Sequence, residues 1–147
     1  MIEKCIADWH AHVRGQLPGG LDTLLHDDCV FYSPVVFTPQ RGKEITKLYL
    51  NAAGATLGDD DAKPGTFTSD KAEGEKKGFR YTREVLSGNH AVLEFETEME
   101  GKYINGVDMI TCDDEGKIVE FKVLVRPLQA INLLHQQMAR MLEKMKS

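Results

Sequence analysis

The chain has 147 residues, and at about 150 residues per domain that length fits one domain, large enough to bury roughly 68–70% of its unfolded surface. With 41% hydrophobic, 28% charged and 7% aromatic residues it is neither disordered nor low in complexity. A net charge of −5 with no local basic patch argues against nucleic acid as a partner.

Ile2, Ile6, Trp9 and Val13 recur at helical spacing and predict an amphipathic first helix. Glu3, Lys4 and Asp8 interrupt that stretch, so it is no signal peptide. No apolar run approaches the ~20 residues of a membrane span. Gly15 to Gly20 breaks the helix, and Leu21, Leu24 and Leu25 make a short second one. His26-Asp27-Asp28 reads as a turn. Cys29 to Ser33 is a strand ending at Pro34. Pro39 to Gly42 reads as a second break, and Ile45, Leu48, Tyr49 and Ala52 give a third helix. Residues 57–77 hold almost no large apolar side chains and read as one long exposed polar loop.

From Phe79 to Arg126 the period changes to two. Four strands (FRYTREVL, AVLEFETEME, KYINGVDMIT and KIVEFKVLVR) are separated by short turns, which implies an antiparallel meander. Leu93, Phe95, Thr97 and Met99 share one face of their strand. Glu94, Glu96, Glu98 and Glu100 share the other, read as a solvated face offset by Lys122 and Arg126 rather than a metal site. A terminal helix follows over 128–147, with a stripe at Leu128, Ile131, His135, Met138, Leu142 and Met145. That stripe covers the chain's own sheet or meets a partner helix.

Cys5, Cys29 and Cys112 match no zinc framework and no CxxC pair. They read as small buried hydrophobes in a reducing, cytoplasmic setting. No metal site and no organic cofactor is implied, since zincin, P-loop, GxSxG and dinucleotide fingerprints are absent. His10 and His12 lie two apart on a helix and cannot chelate together.

The order of elements describes an α+β fold, a curved antiparallel sheet wrapped around helices with a conical hollow at one end. The segments DDCVFYSPV, PQRGKEITKLYL and GVDMITCDDEGKIVEFKVLVRP resemble the nuclear transport factor 2-like superfamily in its SnoaL-like branch. That branch is akin to ketosteroid isomerase and the polyketide cyclases. The resemblance implies a cone-shaped cystatin-like roll, here with an extra C-terminal helix, and a homodimer. Members of the superfamily include enzymes, ligand binders and a transport adaptor, so fold alone does not give function.

Carried over residue by residue, the resemblance puts the isomerase's oxyanion-hole aspartate on Asp108. The strand alternation independently places Asp108 on one face with Ile104 and Ile110, where burial raises a carboxyl pKa. Asp108 is the candidate catalytic residue. The isomerase's general-base position falls on Ser33, and a lone serine cannot shuttle a proton at neutral pH. Its oxyanion tyrosine falls on Trp9, which donates a hydrogen bond but no proton. Tyr49 matches a supporting tyrosine. Steroid isomerisation is therefore not the expected reaction.

The candidate substrate-binding residues are Trp9, Phe31, Ser33, Phe37 and Tyr49 from the first half of the chain. The meander adds Phe95, Thr97 and Met99, then Phe121, Val123 and Val125, with Val36 beside Phe37. Tyr81 and Arg83 share a strand face; if it points inward, Arg83 reaches an anionic substrate group or Asp108. A His12–Asp108 dyad is a further option. Three functions follow: a cofactor-independent isomerase, lyase or cyclase acting on a small apolar molecule; a non-catalytic binder of an apolar ligand; or a dimeric interaction module. Val107 and Met109 on the outer sheet face motivate the dimer.

Overall fold

The computed structural model describes residues 1–57 and 78–146. Its elements are α1 (Ile2–Val13), α2 (Leu21–Leu24), β1 (Leu25–Tyr32), β2 (Gln40–Arg41) and α3 (Lys43–Leu57). The second half holds β3 (Arg80–Ser87), β4 (His90–Met99), β5 (Lys102–Cys112), β6 (Ile118–Arg126) and α4 (Leu128–Lys146). Apart from Leu57, which ends α3, the expected polar loop lies outside the described residues. No described helix is long and apolar enough to cross a membrane.

The meander β3–β4–β5–β6 forms as its alternation dictates. Turns at Gly88, Gly101 and Gly116 all adopt positive φ. At the β4–β5 turn Glu100 joins Gly101 in that region, with φ of 51° and 76°, the double positive φ that suits a tight hairpin. The sheet runs β2-β1-β6-β5-β4-β3. It is mixed rather than wholly antiparallel, because β1 lies parallel to β6.

Three local expectations change. His26, Asp27 and Asp28 belong to β1 rather than to a turn. The two-residue β2 pairs only with Val30 and Phe31, so the polar triplet borders the open side of the strand, where charged groups reach water. Its register against β6 shifts between Leu25 and Val30. The segment read as a second break contains β2. The glutamates of β4 are met not by Lys122 and Arg126 but by β3: Arg80 pairs with Glu96 at 2.7 Å and Arg83 with Glu94 at 3.5 Å. Lys122 instead lies over the Tyr32 ring, and Arg126 donates to Asn105.

The stripe on α1 is buried as a unit: Ile2, Ile6, Trp9 and Val13 face the concave side of the sheet with Leu93, Ile104 and Ile110. All three cysteines are buried and free. The α4 helix packs against α3, β5 and β6 of its own chain. Its buried face runs through Ala130, Leu134 and Met138, with Leu133, Met141 and Leu142 partly covered. Leu128 and His135, expected on that stripe, are exposed. A three-four alternation suits a straight partner helix, whereas a four-residue ridge fits the groove that α3 and β6 offer. The side chain of Met145 lies outside the described residues.

Candidate functional site

β5 presents Ile104, Asp108 and Ile110 to the concave face, so a carboxyl is carried into apolar surroundings with 6% of its surface exposed. Its hydrogen-bond partner is Tyr81, whose hydroxyl donates to Asp108 Oδ2 at 2.6 Å. The Trp9 indole N–H in turn donates to the Tyr81 oxygen at 2.9 Å. Three elements, α1, β3 and β5, thus meet in one line of donors that ends on a carboxylate oxygen.

Burial pushes the Asp108 carboxyl from its ordinary value up to about 7, and the Tyr81 hydrogen bond pulls the other way. Burial and the neighbouring carboxylate push the Tyr81 phenol well above its usual range. Tyr81 therefore remains a neutral donor while Asp108 is poised between acid and base near neutral pH. Asp108 Oδ1 has no hydrogen-bond partner among the described residues.

Tyr81 reaches this place through a β-bulge. The register of β3 against β4 shifts between Tyr81 and Arg83, so two residues expected on one face part company. Tyr81 turns inward, its ring edge-on to Phe79 and His10. Arg83 turns outward, its side chain 74% exposed, and it neither meets Asp108 nor enters the hollow. Sequence reading missed Tyr81 as the partner of Asp108; a bulge leaves no mark in simple alternation. His12 packs against the Trp9 ring at 5.5 Å between centroids rather than pairing with Asp108. Burial lowers its pKa.

A cavity of about 120 Å³ lies beside this line, over the β1–β6 half of the sheet. Five predicted residues border it: Phe31, Ser33, Val36, Tyr49 and Val123. Phe31 and Tyr49 stack at 5.3 Å. Leu134 and Met138 of α4 close it from above, walls that sequence reading had assigned only a covering role. Asp108 is not part of the cavity wall. It is joined to it through Val123, the residue directly opposite in the β5–β6 register, a pairing that brings side chains to about 5 Å on one face.

The other candidates lie elsewhere. Phe121 packs against Trp9 at 5.0 Å. Phe95 stacks on Phe79 at the same spacing, and Thr97 and Met99 are buried farther along β4; these four belong to the core. Val125 borders a second, larger pocket of about 550 Å³ with Ile131 and Phe37, which shares Ser33 and Val123 with the cavity. Phe37 is 98% exposed and does not line the cavity. The reason is local: the Ser33 Oγ accepts hydrogen bonds from the N–H groups of Val35 and Val36, which turns the chain tightly after Pro34 and sends Phe37 outward.

Among solved structures, the chain is similar to a steroid delta-isomerase from Pseudomonas aeruginosa, with 31% identity over 97% of this chain and 92% of that one and a TM-score of 0.79. An uncharacterised protein with a cystatin-like fold from Silicibacter pomeroyi shares 23% identity over 92% of this chain and 83% of that one, with a TM-score of 0.71. An NTF2-like protein of unknown function from Mesorhizobium loti shares 18% identity over 86% and 91%, with a TM-score of 0.60. The latter two likenesses carry the fold alone. No protein-family model matches the sequence, and no curated protein does.

Proposed function

The chain belongs to the nuclear transport factor 2-like superfamily, and from that premise we propose that it moves a proton on a small, largely apolar molecule without a cofactor, as an isomerase, lyase or cyclase. One observation carries this reading: a buried carboxyl, poised near pH 7, with one oxygen held by Tyr81 and the other unengaged. A carboxyl in that state is suited to general acid–base work, because its proton is neither too tightly nor too loosely held. A neutral carboxylic acid in an apolar pocket is also the device by which ketosteroid isomerase donates to a substrate oxygen.

Steroid isomerisation is not the reaction proposed. Ser33 stands where the ketosteroid isomerase pattern puts its general-base aspartate, and a lone serine cannot shuttle a proton at neutral pH. The test uses small cyclic ketones as probes and follows exchange of their α-hydrogens with D2O at pH 7. Catalysed exchange that disappears in Asp108→Asn, with the circular dichroism spectrum retained, is the expected result. Full exchange in that variant removes Asp108 from the mechanism.

A second reading, a non-catalytic binder of an apolar ligand, is favoured by the position of Val123 between the cavity and the carboxyl. It is distinguished by ligand retained through purification, seen in native mass spectra, with no catalysed exchange.

The proposal extends to a homodimer formed through the outer sheet face. Val85, Tyr103, Met109 and Leu124 are each between 38% and 55% exposed there. Such an apolar patch on a sheet is normally covered by a partner.

A further inference from the structure

We infer that the cavity under α4 binds a short carbonyl compound by its oxygen, with Ser33 as the donor. This rests on the small-molecule reading above and adds the ligand's class and size. A serine hydroxyl has two lone pairs and one proton. In Ser33 both acceptor positions are engaged, by the N–H of Val35 at 3.0 Å and of Val36 at 3.2 Å. What the oxygen has left to offer is its proton. Ser33 borders the cavity, so the group it presents there is a donor fixed by its own turn.

The surrounding wall is apolar: the stacked rings of Phe31 and Tyr49, then Val123, Leu134 and Met138. A donor in an apolar enclosure selects strongly for a ligand acceptor, because an unmatched polar group there costs its full desolvation. A carboxylate ligand would need a cation beside it, and among the described residues lining this cavity the one titratable nitrogen is His135, on the exposed side of α4. A ketone, aldehyde or ester asks only for a donor. Size sets the second limit. An apolar cavity of about 150 Å³ admits benzene, so 120 Å³ takes one five- or six-membered ring or a branched chain of that bulk. Where the ketosteroid isomerase pattern puts a general base, this chain carries a hydroxyl that grips oxygen.

The experiment is a methyl-detected NMR titration of the full chain with cyclohexanone and with methylenecyclohexane, the same shape without the acceptor. Cyclohexanone is expected to shift the methyls of Val123, Leu134 and Met138 and to bind at least tenfold tighter than the hydrocarbon. In Ser33→Ala the ratio falls to about one, and in Ser33→Thr, which keeps the hydroxyl, it returns. Androst-4-ene-3,17-dione leaves these methyls unmoved. Equal affinities in the wild type, an unchanged ratio in Ser33→Ala, steroid shifts at the same methyls, or no binding of either ring overturns the inference. Deuterium exchange at the ketone's α-carbon, read in the same samples, separates the two proposals. Selective binding without exchange supports this site and sinks proton transfer alone. Exchange without selectivity sinks this site alone.

Discussion

The Tyr81 hydroxyl reaches Asp108 across an intervening strand: β3 and β5 flank β4, and a 2.6 Å hydrogen bond closes the gap over it. Strands two places apart are separated by about 10 Å, a distance that only a long side chain leaning inward can bridge. The bulge after Tyr81 supplies the lean, and Trp9 from α1 fixes the far side of the phenol oxygen.

Replacing Tyr81 by Phe removes the donor that favours the ionised carboxylate. The Asp108 pKa then rises above about 7, which carboxyl-carbon NMR of selectively labelled protein reads directly. Asp108 Oδ2 loses its donor as well. An unsatisfied buried group costs about 1–3 kcal/mol, so chemical denaturation should show a loss of that order.

Stability should depend on pH through Asp108. Its folded pKa of about 7 lies above the ordinary 3.8, so between these values the folded chain holds a proton that the unfolded chain has released. Stability therefore falls as pH rises through that window and levels off above it, by of the order of 4 kcal/mol in total. Asp108→Asn carries no such charge. Its melting temperature should overtake that of the wild type as pH climbs from 5 to 8; parallel curves would mean that the carboxyl titrates normally.

Gly106→Ala should be among the most damaging single-methyl changes in the sheet. A Cβ there would meet the Leu124 carbonyl oxygen at 2.5 Å and the Phe95 ring at 2.5 Å. The carbonyl belongs to the β6 backbone and cannot swing aside. Overpacking of this kind costs about 1–3 kcal/mol, measurable by urea denaturation, and should loosen the stacking of Phe95 on Phe79.

Leu134 is 2% exposed and forms part of the cavity wall. Leu134→Ala should cost about 2–5 kcal/mol through lost burial and added void. The enlarged space should accept a bulkier ring than the wild type, so saturating it with such a ligand should recover part of the loss in a thermal melt.

The outer face of the sheet gives a solution prediction. Sedimentation at micromolar concentration should show a dimer, and Met109→Asp together with Leu124→Asp, both exposed, should give monomer with the fold intact. A wild type that sediments only as monomer refutes the association.

The meander was legible because β4 alternates throughout and short turns separate the strands, and Asp108 because it shares a phase with Ile104 and Ile110. The α1 stripe was legible for the same reason at helical period. What the alternation could not carry was any break in it. The bulge that separates Tyr81 from Arg83, and the register shift that keeps His26 to Asp28 in a strand, are set by partners remote in sequence. Phe37 was misplaced because an aromatic after a strand reads as core, whereas the Ser33 turn directs it outward. Of the cavity roof, His135, Met138 and Leu142 lay on the expected stripe, whereas Leu134, which is buried there, did not.

The parallel pairing of β1 with β6 has a consequence for synthesis. β1 leaves the ribosome early, but the strand it must hydrogen-bond to is the last of the sheet. Until β6 emerges, the apolar side of β1 has no sheet to lie against, while the hairpins between β3 and β6 can zip up from neighbouring residues. Joining the two ends is a long-range closure of the slow kind, and the nascent chain is most open to wrong associations, or to a chaperone, in that interval.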